Sequence, residues 1–323
     1  MLSIAIPTYN RAKLLDLLIQ NHIKICEKHN IQILISDNSS TDNTQEIISN
    51  WKKKTALIKS VRNETTVSPG QNIEIVMSIS NTPYTWLLGD SYQISEDLID
   101  HIVNKIKRND KYDLFVVNLG EKLSTPKSKF YTDHNSILAD LGGIMTCISC
   151  LILHKRIIEN ADFKKYNESS FLHLGIIFDF LGSALNKNVA WIQEKSIISV
   201  NHPEISKAAT YHWSLGPELI EISYRKWVNF VFSLPENYLL KNKLACLKSF
   251  IKITKLSTIK GFLLMRMRGQ LTSQSFKEYK YEIELISSLP SIIIKLISVS
   301  PKWPIKILYK IITKLRNFFY NLR

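Results

Sequence analysis

The sequence is poor in the features that mark specialised classes of protein. Its 323 residues hold four cysteines, Cys26, Cys147, Cys150 and Cys246. Four in a chain of this length exclude a disulfide framework and suit a reducing compartment. Ten glycines and ten prolines exclude collagen-like and low-complexity chains. Long apolar runs are missing as well: stretches such as 141–153 fall short of the roughly 18 residues that cross a bilayer, so no transmembrane helix is expected. Met1-Leu2-Ser3-Ile4-Ala5-Ile6-Pro7 has no basic residue before Arg11 and is too short for a signal-peptide core. It reads as a first strand and implies no export.

What is present is a globular composition, 45% apolar and 22% charged. A chain of 37.3 kDa can bury one large core plus an appendage, which predicts one or two domains. Acids are scarce in one place only. From residue 239 to the end there are 17 Lys and Arg against 3 acids, while residues 1–238 carry 25 of each, so the whole net charge of +14 sits in the C-terminal quarter. Such a bias points to an anionic partner, either nucleic acid or acidic lipid.

Along the first part, an apolar run at 2–6, helical spacing at 14–26 and a second apolar run at 31–35 ending at Ser36-Asp37 set a βαβ rhythm. That rhythm implies a parallel sheet covered on both faces. The polar cluster 38–43 supplies helix caps before a helix over 44–54, whose last turn carries Lys52, Lys53 and Lys54 where the helix dipole favours cations. A strand near 57–61, a helix near 71–80 and a strand at 84–88 follow, the last ending at Gly89-Asp90. In open α/β sheets the ligand crevice lies outside the carboxyl ends of the strands. Asp37 and Asp90 both occupy that position; taken singly, each also reads as a turn or capping residue.

Three segments together, Ser3-Ile4-Ala5-Ile6-Pro7-Thr8-Tyr9-Asn10-Arg11, Ile35-Ser36-Asp37-Asn38-Ser39-Ser40-Thr41-Asp42-Asn43-Thr44 and Trp86-Leu87-Leu88-Gly89-Asp90, resemble the successive signatures of family 2 glycosyltransferases. The resemblance covers about residues 1–200 and rests on the joint order of the motifs. It implies a GT-A fold, an α/β Rossmann-like nucleotide-diphospho-sugar transferase domain over 1–235, followed by a helical, basic region over 236–323. It also implies a nucleotide pocket bordered by Pro7, Thr8, Tyr9 and Arg11, with Asp37 holding the base or ribose. An aromatic ring and a buried carboxylate suit stacking and directional hydrogen bonding to a nucleoside. Val67-Ser68-Pro69-Gly70-Gln71-Asn72 resembles the stretch that enters the next helix beneath the donor. Gly70 there reads as a close-approach or a plain turn glycine. Asn72, Gly89 and Asp90 complete the implied donor site.

Family members usually carry two or three acids at the end of the fourth strand, holding a divalent metal against the leaving diphosphate. Here the run is Asp90-Ser91-Tyr92, a departure that weakens the metal site. A hard cation held mainly by diphosphate oxygens and water needs only one or two carboxylates, so Mn or Mg at Asp90 stays open. His202 stands where such folds supply a late histidine to metal or diphosphate, or is a loop histidine without a role. Inverting transfer needs a general base for the acceptor hydroxyl. By position His173 looks closest to the family's base and Glu168 is second, His173 having a buried core histidine as its plainer reading. Asp179, six residues on, should face elsewhere. Cys147 and Cys150 lack a second pair and read as buried small residues on a strand. The stretch 119–135 reads as a polar loop near the site and a candidate lid.

After about residue 237 the pattern is helical throughout. Lys302, Lys306, Lys310 and Lys314 recur every four residues opposite Ile307, Leu308, Ile311, Ile312, Leu315, Phe318 and Phe319, the composition of an in-plane membrane anchor. A helix packed on the catalytic domain with a solvated lysine face explains the spacing equally. No zinc-finger, RNA-recognition or helix-turn-helix signature accompanies the tail, so membrane ranks before nucleic acid. The expected protein is therefore a cytoplasmic transferase, peripheral on the inner face of the cytoplasmic membrane. It would take a nucleotide-sugar donor, a UDP-sugar by preference, and a saccharide or lipid-linked acceptor of bacterial surface polysaccharide. A degenerate nucleotide-sugar-binding module without turnover is the alternative.

Overall fold

A computed structural model describes residues 1–108, 111–200 and 216–321. The first half alternates β1 (Leu2–Thr8), α1 (Ala12–His29), β2 (Gln32–Asp37), α2 (Thr44–Lys54), β3 (Ile58–Arg62), α3 (Pro69–Ser78) and β4 (Tyr84–Leu87). β1 and β2 are buried almost throughout, as uninterrupted apolar runs must be when helices cover both faces. α1 stops at Asn30, whose left-handed conformation lets its N–H reach the carbonyls of Cys26 and Glu27, a cap that asparagine adopts with little strain.

β1 pairs in parallel with β2 on one side and with β4 on the other, and β2 pairs in parallel with β3. Chain order therefore reverses beside β1. The crevice that such a reversal opens lies between the loops leaving β1 and β4.

The sheet continues through β5 (Tyr92–Gln93), α4 (Glu96–Arg108), β6 (Leu114–Leu119), β7 (Lys129–Tyr131), α5 (His134–Met145), β8 (Leu151–His154), α6 (Lys155–Glu159), α7 (Leu172–Ser183) and β9 (Val189–Ser199). Its order is β3-β2-β1-β4-β8-β6-β9-β5, with β7 paired to β9. The stretch 119–135, read from sequence as a polar loop, carries the strand β7. β7 runs antiparallel to β9, and Asn118 Nδ2 donates to the carbonyls of Leu123 at 2.8 Å and Gln193 at 3.0 Å, tying the loop down. Cys147 and Cys150 are not on a strand: they flank the start and end of the 3₁₀ turn Ile148–Cys150 that leads into β8. All four thiols are free.

A π-helical turn, Glu221–Lys226, opens the helical region: α8 (Trp227–Ser233), α9 (Leu240–Thr254), α10 (Ile259–Arg268), α11 (Ser273–Glu278), α12 (Lys280–Ile286), α13 (Ser291–Val299) and α14 (Lys302–Asn321). The boundary at 235/236 falls between α8 and α9, and one cluster of buried apolar side chains runs from Leu2 to Ile305 across it. α9 lies along α5. Two glycines permit that approach, since a Cβ on Gly143 would stand 2.5 Å from the backbone nitrogen of Phe250 and one on Gly142 would stand 2.5 Å from Cys246 Sγ. Trp227 fills the joint, with its ring centroid 4.9 Å from both Phe171 and Phe250.

Candidate active site

The loop leaving β1 is held in place by the turn after β2. Asn10 adopts a left-handed conformation, its N–H donates to Ser40 Oγ at 2.8 Å, and its Oδ1 accepts from the Thr41 N–H at 2.8 Å. Asp42 caps two helices at once, its carboxylate accepting from the N–H of Ala12 at 3.0 Å and of Thr44 at 3.1 Å. Much of the polar run 38–43 is therefore a clamp that fixes where Arg11 starts.

Arg11 reaches across the chain reversal to the end of β4. Its Nη1 donates to Asp90 Oδ1 at 2.5 Å and to Ser91 Oγ at 3.0 Å. Asp90 is buried. Both residues were singled out separately in the sequence, and the structure makes them a pair at the mouth of a cavity of about 1620 Å³. Gly89, whose N–H donates to Ser149 Oγ at 2.9 Å, lies on the same wall, as do Ser68, Pro69 and Gly70. Ser68 caps α3 in a reciprocal capping box with Gln71 and Pro69 occupies its first turn. The positive end of the α3 dipole therefore faces the cavity, an arrangement that favours anions. Gly70 is a helical residue in that first turn and not a turn glycine; a Cβ there would make ordinary contact with Leu172 at 3.5 Å.

The remaining donor-site candidates lie behind this wall. Asp37 is fully buried, aligned with Thr8 across β1 and β2. It accepts from the Ser40 N–H at 3.0 Å and from the Gln45 amide, with Arg62 Nε at 4.0 Å, so in this structure it stabilises the turn. Asn72 is also buried, its Oδ1 accepting from Ser36 Oγ at 2.7 Å and Asn63 Nδ2 at 3.2 Å. It supports the crevice floor and does not line the cavity. Pro7 continues β1; Tyr9 is exposed at the rim, and Thr8 Oγ1 is buried without a hydrogen-bond partner.

On the opposite wall stand Asn167, Glu168 and His173. His173 begins the first turn of α7 and is buried. Burial lowers its pKa to about 4 against the backbone carbonyls of Thr146 and Met145, so the ring is neutral at pH 7. Its Nε2 and Asn167 Oδ1 are buried without hydrogen-bond partners, an uncommon state for polar atoms that border a cavity. Nε2 is closed even to water, which denies it an acceptor hydroxyl in this conformation, whereas Glu168 is exposed. Of the two base candidates, Glu168 is the one open to solvent. Asp179 does face elsewhere, binding Lys165 Nζ at 2.7 Å and accepting from Tyr166 Oη at 2.8 Å.

Cys147 also lines the cavity. A hydrogen bond from the Cys150 thiol holds its pKa below the ordinary thiol range, while burial opposes the shift and further hydrogen bonds from the Ser149 backbone and Tyr92 support it. Nothing in the sequence spacing marks Lys122, Thr146 or Cys147 as neighbours of Asp90; the fold alone brings them there.

A divalent cation needs several oxygen ligands. Asp90 is already engaged by Arg11, and no group of three His, Cys, Asp or Glu is gathered among the described residues. These residues do not by themselves fit a resident metal, and no chemical step is routed through one here. His202, the other expected ligand, lies outside the described residues.

A cavity at a chain reversal, with an arginine, a carboxylate and a helix N-terminus on its rim, is an arrangement in which α/β proteins seat anionic ligands. Residues 3–162, just under half of the chain, match the model of Glycosyl transferase family 2. The abequosyltransferase RfbV of Salmonella typhimurium is 27% identical over 202 residues, 55% of this chain and 60% of that protein. The match thus spans less than two thirds of the relative's length. Among solved structures, S. aureus TarS 1–349 in complex with UDP-GlcNAc aligns with a TM-score of 0.57 at 14% identity, over 88% of this chain and 83% of that one. The mannosyltransferase PcManGT from Pyrobaculum calidifontis, in complex with GDP-Man and Mn2+, aligns with a TM-score of 0.54 at 9% identity, over 94% and 87%. At these identities the likeness is one of fold, the GT-A α/β architecture with C-terminal helices.

Proposed function

We propose that the chain is an inverting glycosyltransferase that moves one sugar from a nucleotide-sugar donor to a saccharide or lipid-linked acceptor of bacterial surface polysaccharide, such as lipopolysaccharide O-antigen or capsule. The observation that carries this reading is the Arg11–Asp90 pair at the chain reversal, facing a large cavity beside the N-terminus of α3. The name of the Salmonella relative supports the polysaccharide setting, and the UDP-GlcNAc complex of TarS supports a UDP-sugar before other donors.

In this mechanism the nucleoside lies over the β1 loop, toward Thr8, Tyr9 and Asp37. The diphosphate meets Arg11, the N-terminus of α3 and Lys122. Glu168 takes the proton as the acceptor oxygen attacks the anomeric carbon; the bond to the diphosphate breaks on the opposite face, and the nucleoside diphosphate leaves with the electron pair. His173 orders the wall behind Glu168. Arg11 and Lys122 supply the charge that the single acid of Asp90-Ser91-Tyr92 cannot recruit as metal.

The helical region supports a place on the inner face of the cytoplasmic membrane. No helix among the described residues is long and apolar enough to cross a membrane. Yet α13 exposes Ile292, Leu296 and Val299, and α14 exposes Trp303, Ile307 and Ile311 among Lys302, Lys306, Lys310 and Lys314. Apolar side chains framed by lysines suit the headgroup boundary of an anionic bilayer. The packed-helix alternative accounts for Ile305, which is buried, but not for the exposed stripe. Leu315, Phe318 and Phe319 lie where side chains are not described.

A second reading, a nucleotide-sugar-binding module without turnover, is favoured by one observation: Ser91 and Tyr92 stand where further acids would be, and Arg11 engages the remaining carboxylate. Thermal-shift titration with UDP, GDP, CMP and dTDP, each with and without manganese, followed by a transfer assay, separates the readings. A ligand at a hundredfold over its Kd raises stability by about 2.7 kcal/mol. A nucleotide shift that needs no manganese, with sugar transfer, supports the proposal. A shift without transfer to any saccharide or lipid-linked acceptor selects the binding module, and no shift with any nucleotide overturns both.

A further inference from the structure

The four thiols fall into two kinds. Cys26 and Cys246 are fully buried, and burial pushes both thiols up, Cys26 to about 12. Thiols in such surroundings are inert. Cys147 and Cys150 stand at the two ends of the turn that leads into β8, and Cys147 is only partly buried on the cavity wall. The transfer step proposed above uses neither.

The turn brings this pair within bonding reach. The Cys150 N–H donates to the Cys147 carbonyl at 3.0 Å. A turn closed in this way holds its first and last Cα atoms within about 7 Å, and a disulfide spans up to about 6.8 Å. The side chains already meet: the Cys150 thiol donates to Cys147 Sγ, and the Tyr92 hydroxyl donates to the same sulfur. These bonds, with Lys122 on the same wall, hold the Cys147 thiol below its ordinary range against the opposing effect of burial. The thiolate is the form that attacks a disulfide.

A residue between the two cysteines ties the turn to the crevice rim. Ser149 Oγ accepts from the Gly89 N–H at 2.9 Å, and the Ser149 carbonyl accepts from Trp86 Nε1 at 2.9 Å. A Cβ on Gly89 would stand 3.4 Å from Ser149 Oγ, so the turn lies close against the end of β4, next to the carboxylate that Arg11 holds. An S–S bond of about 2.05 Å is shorter than the hydrogen-bonded contact it would replace. In a close-packed interior the turn cannot tighten by that amount without moving Ser149, and with it Gly89 and Asp90.

We infer that Cys147 and Cys150 form a reversible thiol–disulfide site, oxidised through the cavity by a small-molecule disulfide, and that closing it disturbs the Arg11–Asp90 rim. The Cys147 thiolate attacks one sulfur of the oxidant, forming a mixed disulfide and releasing a first thiolate. That thiolate takes the Cys150 proton; the Cys150 sulfur then attacks Cys147 Sγ and expels the second thiolate. Two electrons pass from the pair to the oxidant, which leaves as one thiol and one thiolate. In a reducing compartment such a disulfide is transient, as redox-sensing pairs are.

The test exposes the full chain to oxidised glutathione, then denatures, alkylates and digests it for mass spectrometry. Cys147 and Cys150 should be joined to each other and protected, with Cys26 and Cys246 alkylated. C150A, which lacks the resolving thiol, should retain glutathione on Cys147, and C147A should take up none. The nucleotide concentration that gives half the thermal shift should rise about threefold or more on oxidation and return with dithiothreitol, whereas in C147A it should be indifferent to the oxidant. Glutathione on Cys26 or Cys246 alone, or no reaction at Cys147, overturns the site. A joined pair with an unaltered nucleotide shift overturns its coupling to the rim. Absence of a nucleotide shift in the reduced chain overturns that coupling together with the transferase reading, while the pair itself stands or falls by the mass spectra.

Discussion

The sheet half and the helical half of this chain use charge in opposite ways. In residues 1–238 basic and acidic residues balance, and cations at structural joints have partners: Arg11 with Asp90, Arg156 with Asp113 at 2.8 Å, Lys165 with Asp179 at 2.7 Å. In the helical half three acids face 17 cations. Two of those acids, Glu278 and Glu282, are engaged by Arg225 of the π-helical turn, and Glu284 lies 3.9 Å from Lys280. Paired charges fix geometry, as the Arg11–Asp90 bridge fixes the crevice rim. Unbalanced charges make a field that reaches beyond the surface and favours anions there.

The contrast can be broken most forcefully at its paired side. Arg11→Gln removes the cation facing the leaving diphosphate, and steady-state transfer should fall by about 10² to 10³, the loss typical of a stabilising donor at a reacting centre. Transfer within threefold of the parent would remove Arg11 from the mechanism. Joining the halves into one core is tested at Gly143→Ala: the new Cβ meets the backbone of Phe250, so denaturant unfolding should show a loss of about 1–3 kcal/mol or more. If the two halves were loosely docked, little would change.

Acid should then distinguish the buried wall from the exposed tail. His173 titrates at about 4 in the folded chain and near the ordinary 6.5 when unfolded. The unfolded state therefore binds the proton first, and this contribution to stability is complete above pH 6.5 and lost on the way down to about 4. The slope is about 1.4 kcal/mol per pH unit. Burial lowers His22 in the same direction. His173→Gln should flatten the midpoint of urea unfolding between pH 6.5 and 4.5; an unaltered slope would assign it elsewhere. The smallest effect belongs to the unpaired side. Lys310→Gln should weaken binding to phosphatidylserine vesicles about fivefold, roughly 1 kcal/mol, without changing nucleotide binding, and the loss should fade as salt rises. Vesicle binding indifferent to both the substitution and salt would leave the lysines as solvated surface.

Much of the sheet half was legible because its signals are local. Buried strands must be apolar on both faces, so β1 and β2 stood out as runs, and the helix ends followed from caps and charges within one turn. Asp37 and Asp90 were found by position at strand ends, yet the two have different surroundings. Asp37 is taken up by Ser40 and Gln45 and fully buried, whereas Asp90 reaches the cavity. The sequence marks both alike because a carboxylate that caps a turn and one that faces a ligand can follow the same strand pattern. His173 and Glu168 were both named from sequence, but that one is buried and the other exposed is a matter of packing, which spacing does not encode.

The sequence by itself determined the βαβ rhythm, the family signatures, the position of acids at strand ends and the concentration of positive charge after residue 238, since each depends on neighbours within a few residues or on composition. Tertiary structure alone decided that Arg11 meets Asp90 across 79 positions, that Cys147 lies off the strand and lines a cavity, and that Lys255, Lys260, Arg268 and Ile312 line the same space as Asp90. These are contacts between distant segments, and their existence depends on how α9 seats on Gly142 and Gly143, a matter of packing that no local pattern records.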